Sequence, residues 1–185
     1  MDRFASRWGK PVEGSHPQGR LDGRKGLRRL VTVRAIDPMN ASPAVSEQRF
    51  VTAAESRTDL TPYTLNTWLS RPDIVPCESL LLVRATLDAG RCHGFHRHPT
   101  REEIIYILSG QAEQWCGRQH RILKAGEMVL IPKNEIHGTY NPFREPVIFL
   151  AMLSPVEAEE PGTVNEWDHE PWASLRQSLG LPECR

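Results

Sequence analysis

Four side chains of this sequence have the types and spacing of a metal site: His96, His98, Glu103 and His137. His96 and His98 lie two positions apart, so on a β-strand both imidazoles project from one face. Pro99, Thr100 and Arg101 then interrupt the strand. Glu103 opens the next run and can return a carboxylate to the same interior, and His137 follows a proline-containing turn. Three imidazoles and a carboxylate facing one cavity are costly to bury without a cation. With one, they form a first-row transition-metal site. Glu102 is one position out of step and is expected to face away. His93 precedes His96 by three, which sets it on the opposite face of a regular strand, or at the barrel mouth if the chain bends at Gly94. His93 and Tyr140 are the candidate acid and base.

Such ligands need rigid strands to carry them. From Glu78 to Leu153 short runs rich in valine, isoleucine and leucine alternate with turn residues. The runs are Ser79–Leu87, Cys92–His96, Glu103–Leu108, Ala112–Cys116, His120–Leu123, Met128–Ile131, Ile136–Tyr140 and Val147–Leu153. Strands this short, with no helices between them, predict a closed or sandwiched antiparallel barrel. Ile105 and Ile107 share the parity of Glu103 and are expected inside, whereas Tyr106 is expected outside. The parity of Gln114, Trp115 and Cys116 stays open, and His120 is expected in solvent.

The flanks read differently. Residues 1–38 carry nine basic against four acidic residues, a net of +5 that leaves −5 for the rest of this neutral chain. They offer little apolar surface to offset chain entropy and are expected to form a disordered basic arm, upstream of a second candidate start at Met39. Residues 39–77 form a lead-in segment. Phe50 and Val51 could begin a strand there, Thr61-Pro62 a turn or helix, and Tyr63, Leu65, Trp68 and Leu69 are expected to anchor it on the barrel or on a partner. Residues 78–153 are the barrel. Residues 154–185 are expected to leave it through an acidic connector to a short helix, with Asp168 as cap, Pro171 in its first turn and Leu175 and Leu179 on one side. Trp167 and Trp172 would dock that tail.

Composition excludes little but orders the rest. The zero formal charge gives no reason to expect nucleic acid or an anionic membrane as partner. No apolar run is long enough to span a bilayer, and no apolar segment follows the charged start. The four cysteines form no C-x-x-C pair and are expected to be the reduced thiols of a cytoplasmic protein.

The metal residues sit inside two longer patterns. Gly90, His96, His98, Glu103 and Gly110 fill G-x5-H-x-H-x4-E-x6-G, and Gly126, Pro132, His137 and Asn141 fill all but one position of G-x5-P-x-G-x2-H-x3-N. Asn134 stands in the remaining glycine position and tolerates the same left-handed geometry. These stretches resemble the two signature motifs of the cupin superfamily. The resemblance implies an all-β fold, a double-stranded β-helix or jelly-roll barrel with short flanking helices. It also implies one divalent transition metal on the four residues, Fe(II) favoured, with Mn, Ni, Co, Cu or Zn as alternatives. A homodimer is expected, through residues 61–69 and Tyr106.

A fold of this kind does not name a reaction. Four protein ligands leave coordination positions open on an octahedral metal, which permits substrate chelation and, for Fe(II), dioxygen binding. An Fe(II) oxygenase acting on a small organic molecule is the leading expectation. The alternatives are an oxygen-independent isomerase or lyase with Mn, Ni or Zn, and a non-catalytic small-molecule-binding barrel with a structural metal.

Overall fold

A computed structural model describes residues 47–157 and 161–182. The expectations for residues 1–38 and for a start at Met39 fall outside these residues. The strands in chain order are β1 (Arg57–Leu60), β2 (Leu65–Ser70), β3 (Leu81–Leu87), β4 (Cys92–Arg97), β5 (Glu102–Ser109), β6 (Gln111–Cys116), β7 (Gln119–Lys124), β8 (Met128–Ile131), β9 (His137–Tyr140), β10 (Val147–Ser154) and β11 (Val164–Asn165). One helix, α1 (Trp172–Ser178), follows. All eight expected runs of the barrel are strands within two residues of their expected ends.

Every pairing is antiparallel, in two sheets of order β1-β2-β3-β10-β5-β8 and β11-β4-β9-β6-β7. Strict alternation builds the first sheet. β10 reads buried-intermediate along its whole length, and β5 buries Glu103, Ile105 and Ile107 while exposing Glu102. The inward set of β3, β5 and β10, with Ala112, Leu123 and Ile131, forms one continuous apolar core between the sheets. Gly110 (φ 75°) turns β5 into β6, and a Cβ there would stand 2.5 Å from the Pro146 carbonyl oxygen, so the hairpin requires glycine.

Gln114 and Cys116 share the inward parity of Ala112, which resolves the open question on β6. Trp115 lies on the other face and joins Phe95, Tyr140 and Trp172 in a second cluster, where α1 covers the outside of the second sheet. His120 is exposed as expected and stacks on Trp115, ring centroids 4.3 Å apart.

Several expectations for the flanks change. Phe50 and Val51 begin no strand, and Phe50 is 85% exposed. The Thr61–Thr64 turn closes a β1–β2 hairpin, with Thr61 N–H donating to the Thr64 carbonyl at 2.9 Å. The lead-in segment is therefore part of the first sheet. The C-terminal segment does not simply leave the barrel either. β11 returns to pair with β4, Val164 opposite Arg97 and Asn165 opposite His96. Trp172 is buried and Trp167 packs beside it, as expected of docking residues. Pro171, not Asp168, occupies the N-cap, without a side-chain cap, and Leu179 is 48% exposed. Among the described residues, Cys77 and Cys116 are free thiols. No helix among the described residues is long and apolar enough to cross a membrane.

Candidate metal centre and its cavity

The four expected ligands converge at one end of the barrel. His96 is the penultimate residue of β4, His98 follows that strand by one residue, Glu103 comes from β5 in the other sheet, and His137 opens β9. His96 and His137 are register partners. All four are buried, and their ligand atoms lie within 4.8 Å of one another. Asn134 holds the left-handed φ of 64° in the turn before His137, and its N–H bonds the His98 carbonyl at 2.8 Å. The asparagine thus does the conformational work of the motif's glycine.

Hydrogen bonds set the imidazole tautomers. Each Nδ1 faces a backbone carbonyl: Gly94 for His96 (2.8 Å), Gly162 for His98 (2.9 Å) and Glu135 for His137 (3.0 Å). A proton on each Nδ1 leaves each Nε2 as a bare lone pair. His137 Nε2 then lies 3.0 Å and His98 Nε2 3.4 Å from Glu103 Oε2. The Nε2 atoms of His96 and His137 and the Oε2 of Glu103 are buried without a hydrogen-bond partner. Acceptors packed against acceptors repel unless a cation lies among them. The donor set therefore fits a divalent transition metal, with imidazole dominating and one hard oxygen.

The electrostatics agree. Burial pushes Glu103 up, and only positive charge at the His137 and His98 positions brings it down to about 2; with both Nε2 atoms unprotonated, that charge is what a cation among them would supply. Burial, reinforced by the neighbouring imidazoles, holds His96 well below its ordinary value and neutral.

His96, His98 and Glu103 form the floor of a cavity of ≈ 390 Å³. Its walls include Thr61, Tyr63, Thr64, Asn66 and Trp68 from the β1–β2 hairpin, Arg101 from the β4–β5 loop, and Thr163 and Asn165 from the β11 segment. None of these was singled out beforehand as functional. Arg101 alone carried a signal, lying between two ligands in sequence. The others reach the site only through long-range pairing. Thr163 Oγ1 also contacts His98 Nδ1 at 3.2 Å, and Arg97 ties the segment down through Glu166 at 2.7 Å. Burial raises Glu166, but its bonds with Arg97 and His169 prevail and lower it, keeping that clip ionic.

The two acid–base candidates separate. The β4–β9 register shifts between His93 and His96, and this irregularity turns His93 to the cavity side. His93 stacks on His96 at 4.0 Å and on Tyr63 at 5.2 Å, making a three-ring column beside the metal residues. Desolvation lowers its pKa to about 4, against the opposing pull of Glu103, so the ring is neutral. Tyr140 is a correction. It lies three positions from His137 and faces the opposite side of β9, packed against Phe95 at 5.5 Å and absent from the cavity wall. Burial pushes its phenol well above the ordinary value. Its hydroxyl is buried without a hydrogen-bond partner. Tyr140→Phe is accordingly expected to leave metal content and activity unchanged and to shift stability by no more than about 1 kcal/mol, neutral or favourable in sign, as measured by urea unfolding.

Two antiparallel sheets closed over a core, with three histidines and a glutamate gathered at one end, define a metal-binding double-stranded β-helix. Residues 83–153 match the family model described as Cupin domain, and this barrel is a cupin domain. It is 28% identical over 102 residues to the pectin degradation protein KdgF of Dickeya dadantii (strain 3937), which covers 55% of this chain and 92% of that relative. Among solved structures it is similar to KdgF from Halomonas sp., with TM-score 0.52 at 20% identity over 58% of this chain and 94% of that one. It is also similar to DMSP lyase DddQ from Ruegeria pomeroyi DSS-3, with TM-score 0.53 at 26% identity over 63% of this chain and 64% of that one. The Halomonas likeness concerns the fold alone.

Proposed function

We propose that the chain is a metal-dependent enzyme that moves a proton on a small organic molecule, as a lyase or isomerase, without consuming oxygen. The observation that carries this reading is the Tyr63–His93–His96 column. It sets a neutral imidazole outside the ligand set yet on the wall of the same cavity. A bound divalent ion would supply Lewis-acid polarisation of a substrate oxygen, which acidifies a neighbouring C–H. His93 then accepts the proton, and the Tyr63 ring fixes the plane of the imidazole. Its basicity, near that of a carboxylate, suits a proton so acidified. The names of the pectin degradation protein and the DMSP lyase agree with this class of chemistry.

The Fe(II) oxygenase needs only the ligands and an apolar pocket, so the column has no task in it. The test incubates full-length protein, loaded in turn with Mn, Ni, Zn and Fe(II), with a panel of small organic acids and sugar acids in deuterated water under argon. Proton exchange or product formed without oxygen supports the proposal. Turnover only in air, with oxygen uptake, overturns it in favour of the oxygenase. Failure of every metal and substrate, together with a metal-dependent rise in melting temperature, points to a structural metal.

We further propose that the chain pairs with a second copy of itself through the outer face of the β1-containing sheet. That face should be polar if it meets water, yet Ile104, Tyr106, Leu150 and Met152 are only partly buried there, and Met128 and Leu130 are 46% and 53% exposed. Helix α1 lies on the other sheet. Five strands of this sheet span a face of about 20 Å on a side, ~400 Å², or about half of the ~800 Å² per partner of a standard interface, so flanking residues must join the contact. Light scattering is expected to give twice the chain mass, and Leu150→Arg to halve it. A wild-type monomer refutes the pairing.

A further inference from the structure

We infer that Arg101 is an anion-binding residue of the cavity, and that it selects substrates carrying a carboxylate remote from the group bound at the metal. This deepens the enzyme reading above and rests on it for the word substrate. The binding itself is tested separately.

Arg101 is the one lysine or arginine among the residues lining the cavity, and Glu103 is the one carboxylate, already engaged by the metal ligands. Arg101 makes no ion pair among the described residues. Its guanidinium is held instead by two neutral backbone carbonyls just beyond β10: Nε donates to Pro155 at 3.0 Å and Nη2 to Val156. Those bonds fix the planar fork without neutralising it, and Nη1 takes part in neither. A half-buried arginine oriented by carbonyls and, among the described residues, without a carboxylate partner is a preorganised anion receptor, because its donors need no rearrangement when a carboxylate arrives.

The rest of the cavity agrees in sign. The other polar wall residues, including Thr61, Thr64, Asn66 and Asn165, are neutral. A divalent ion together with Arg101 outweighs the single charge of Glu103, so the cavity is net positive and attracts dianions over monoanions. Its ≈ 390 Å³ lies at the small end of the ~300–1,000 Å³ usual for ligand sites. The class that fits is a small organic acid with two oxygen-bearing groups, one for the metal and a carboxylate for Arg101.

The test is calorimetric titration of the full-length, zinc-loaded protein with malonate and with its monoamide, which keeps one carboxylate and neutralises the other. Wild type is expected to bind malonate about tenfold or more tightly than the monoamide. Arg101→Gln is expected to weaken malonate by ~10–100-fold, the value of a charge-assisted hydrogen bond, and to erase that preference while zinc content stays unchanged. Arg101→Lys should retain part of it. Arg101 also holds the chain after β10, so a second variant guards against misfolding. Asn66→Asp adds a negative charge elsewhere on the wall, leaves both carbonyl bonds intact, and should weaken malonate comparably. Equal affinity of wild type for the two ligands overturns the inference, as does malonate binding within twofold of wild type in Asn66→Asp or in folded Arg101→Gln. Deuterium exchange can fail while malonate selectivity holds, which would sink the enzyme reading alone. The reverse result would sink only the role of Arg101.

Discussion

His137→Ala is expected to lose stoichiometric metal. Elemental analysis of the dialysed wild-type protein should find about one divalent ion per chain, and the variant close to none. His137 is fully buried, pairs with His96 across β4 and β9, and aims Nε2 at Glu103 from 3.0 Å. Its removal takes away a ligand from the set and opens a void that water can fill. The affinity loss should exceed the ~10–100-fold that follows when an outer hydrogen-bond partner of a ligand is removed. The second readout is thermal. A metal that binds only the folded chain stabilises it by ~4 kcal/mol at a thousand times its dissociation constant. That corresponds to a rise of roughly 10 °C for a chain of this size. The variant should show almost no metal-dependent rise, whatever its own melting temperature. Full occupancy in His137→Ala would mean that the ligand set is wrong.

The next largest effect is expected at His93, and it falls on turnover rather than on metal. His93→Phe keeps a ring between Tyr63 and His96, so the column and the wall survive. It removes the only imidazole on the wall that stands outside the ligand set. Loss of a positioned acid or base lowers the rate by about 10²–10⁴-fold. The expected result is that loss in kcat, or in the rate of substrate deuterium exchange, with metal content and melting temperature close to wild type. A parallel rise in KM with kcat unchanged would make His93 a packing residue. Loss of metal would make it a support for His96. The contrast with the silent Tyr140→Phe is part of the same prediction, because the two residues were equal candidates before their faces were known.

That contrast shows what can be read from one chain and what cannot. The ligands are legible because coordination demands fixed residue types at fixed spacings, and because period-two geometry puts His96 and His98 on one side. The eight barrel strands are legible because a half-buried sheet writes alternation into the sequence, as β10 does over its whole length. The same parity rule, counted from His137, puts Tyr140 on the opposite face, three positions away. His93 evaded it because the strand is irregular between His93 and His96, and a shift of register has no residue signature of its own. Asn66 and Asn165 were illegible for another reason. They belong to a hairpin and a two-residue strand, and only chain closure in three dimensions gives them a common wall. The outer face of the first sheet is intermediate in this respect. Tyr106 could be placed outside by counting, but the apolar neighbours around it emerge only from the β5–β8 and β5–β10 registers.

The return of β11 to the metal strand bears on how the protein is made. His98 takes its orientation from Gly162 and Thr163, which lie 64 and 65 positions further along the chain. A ribosome finishes all four ligands, the last at His137, well before it adds the residues that hold one of them in place. The centre therefore matures late in synthesis, after the barrel strands are already available to pair. A nascent or truncated chain ending before Gly162 would carry every ligand yet hold His98 loosely, and would load metal poorly.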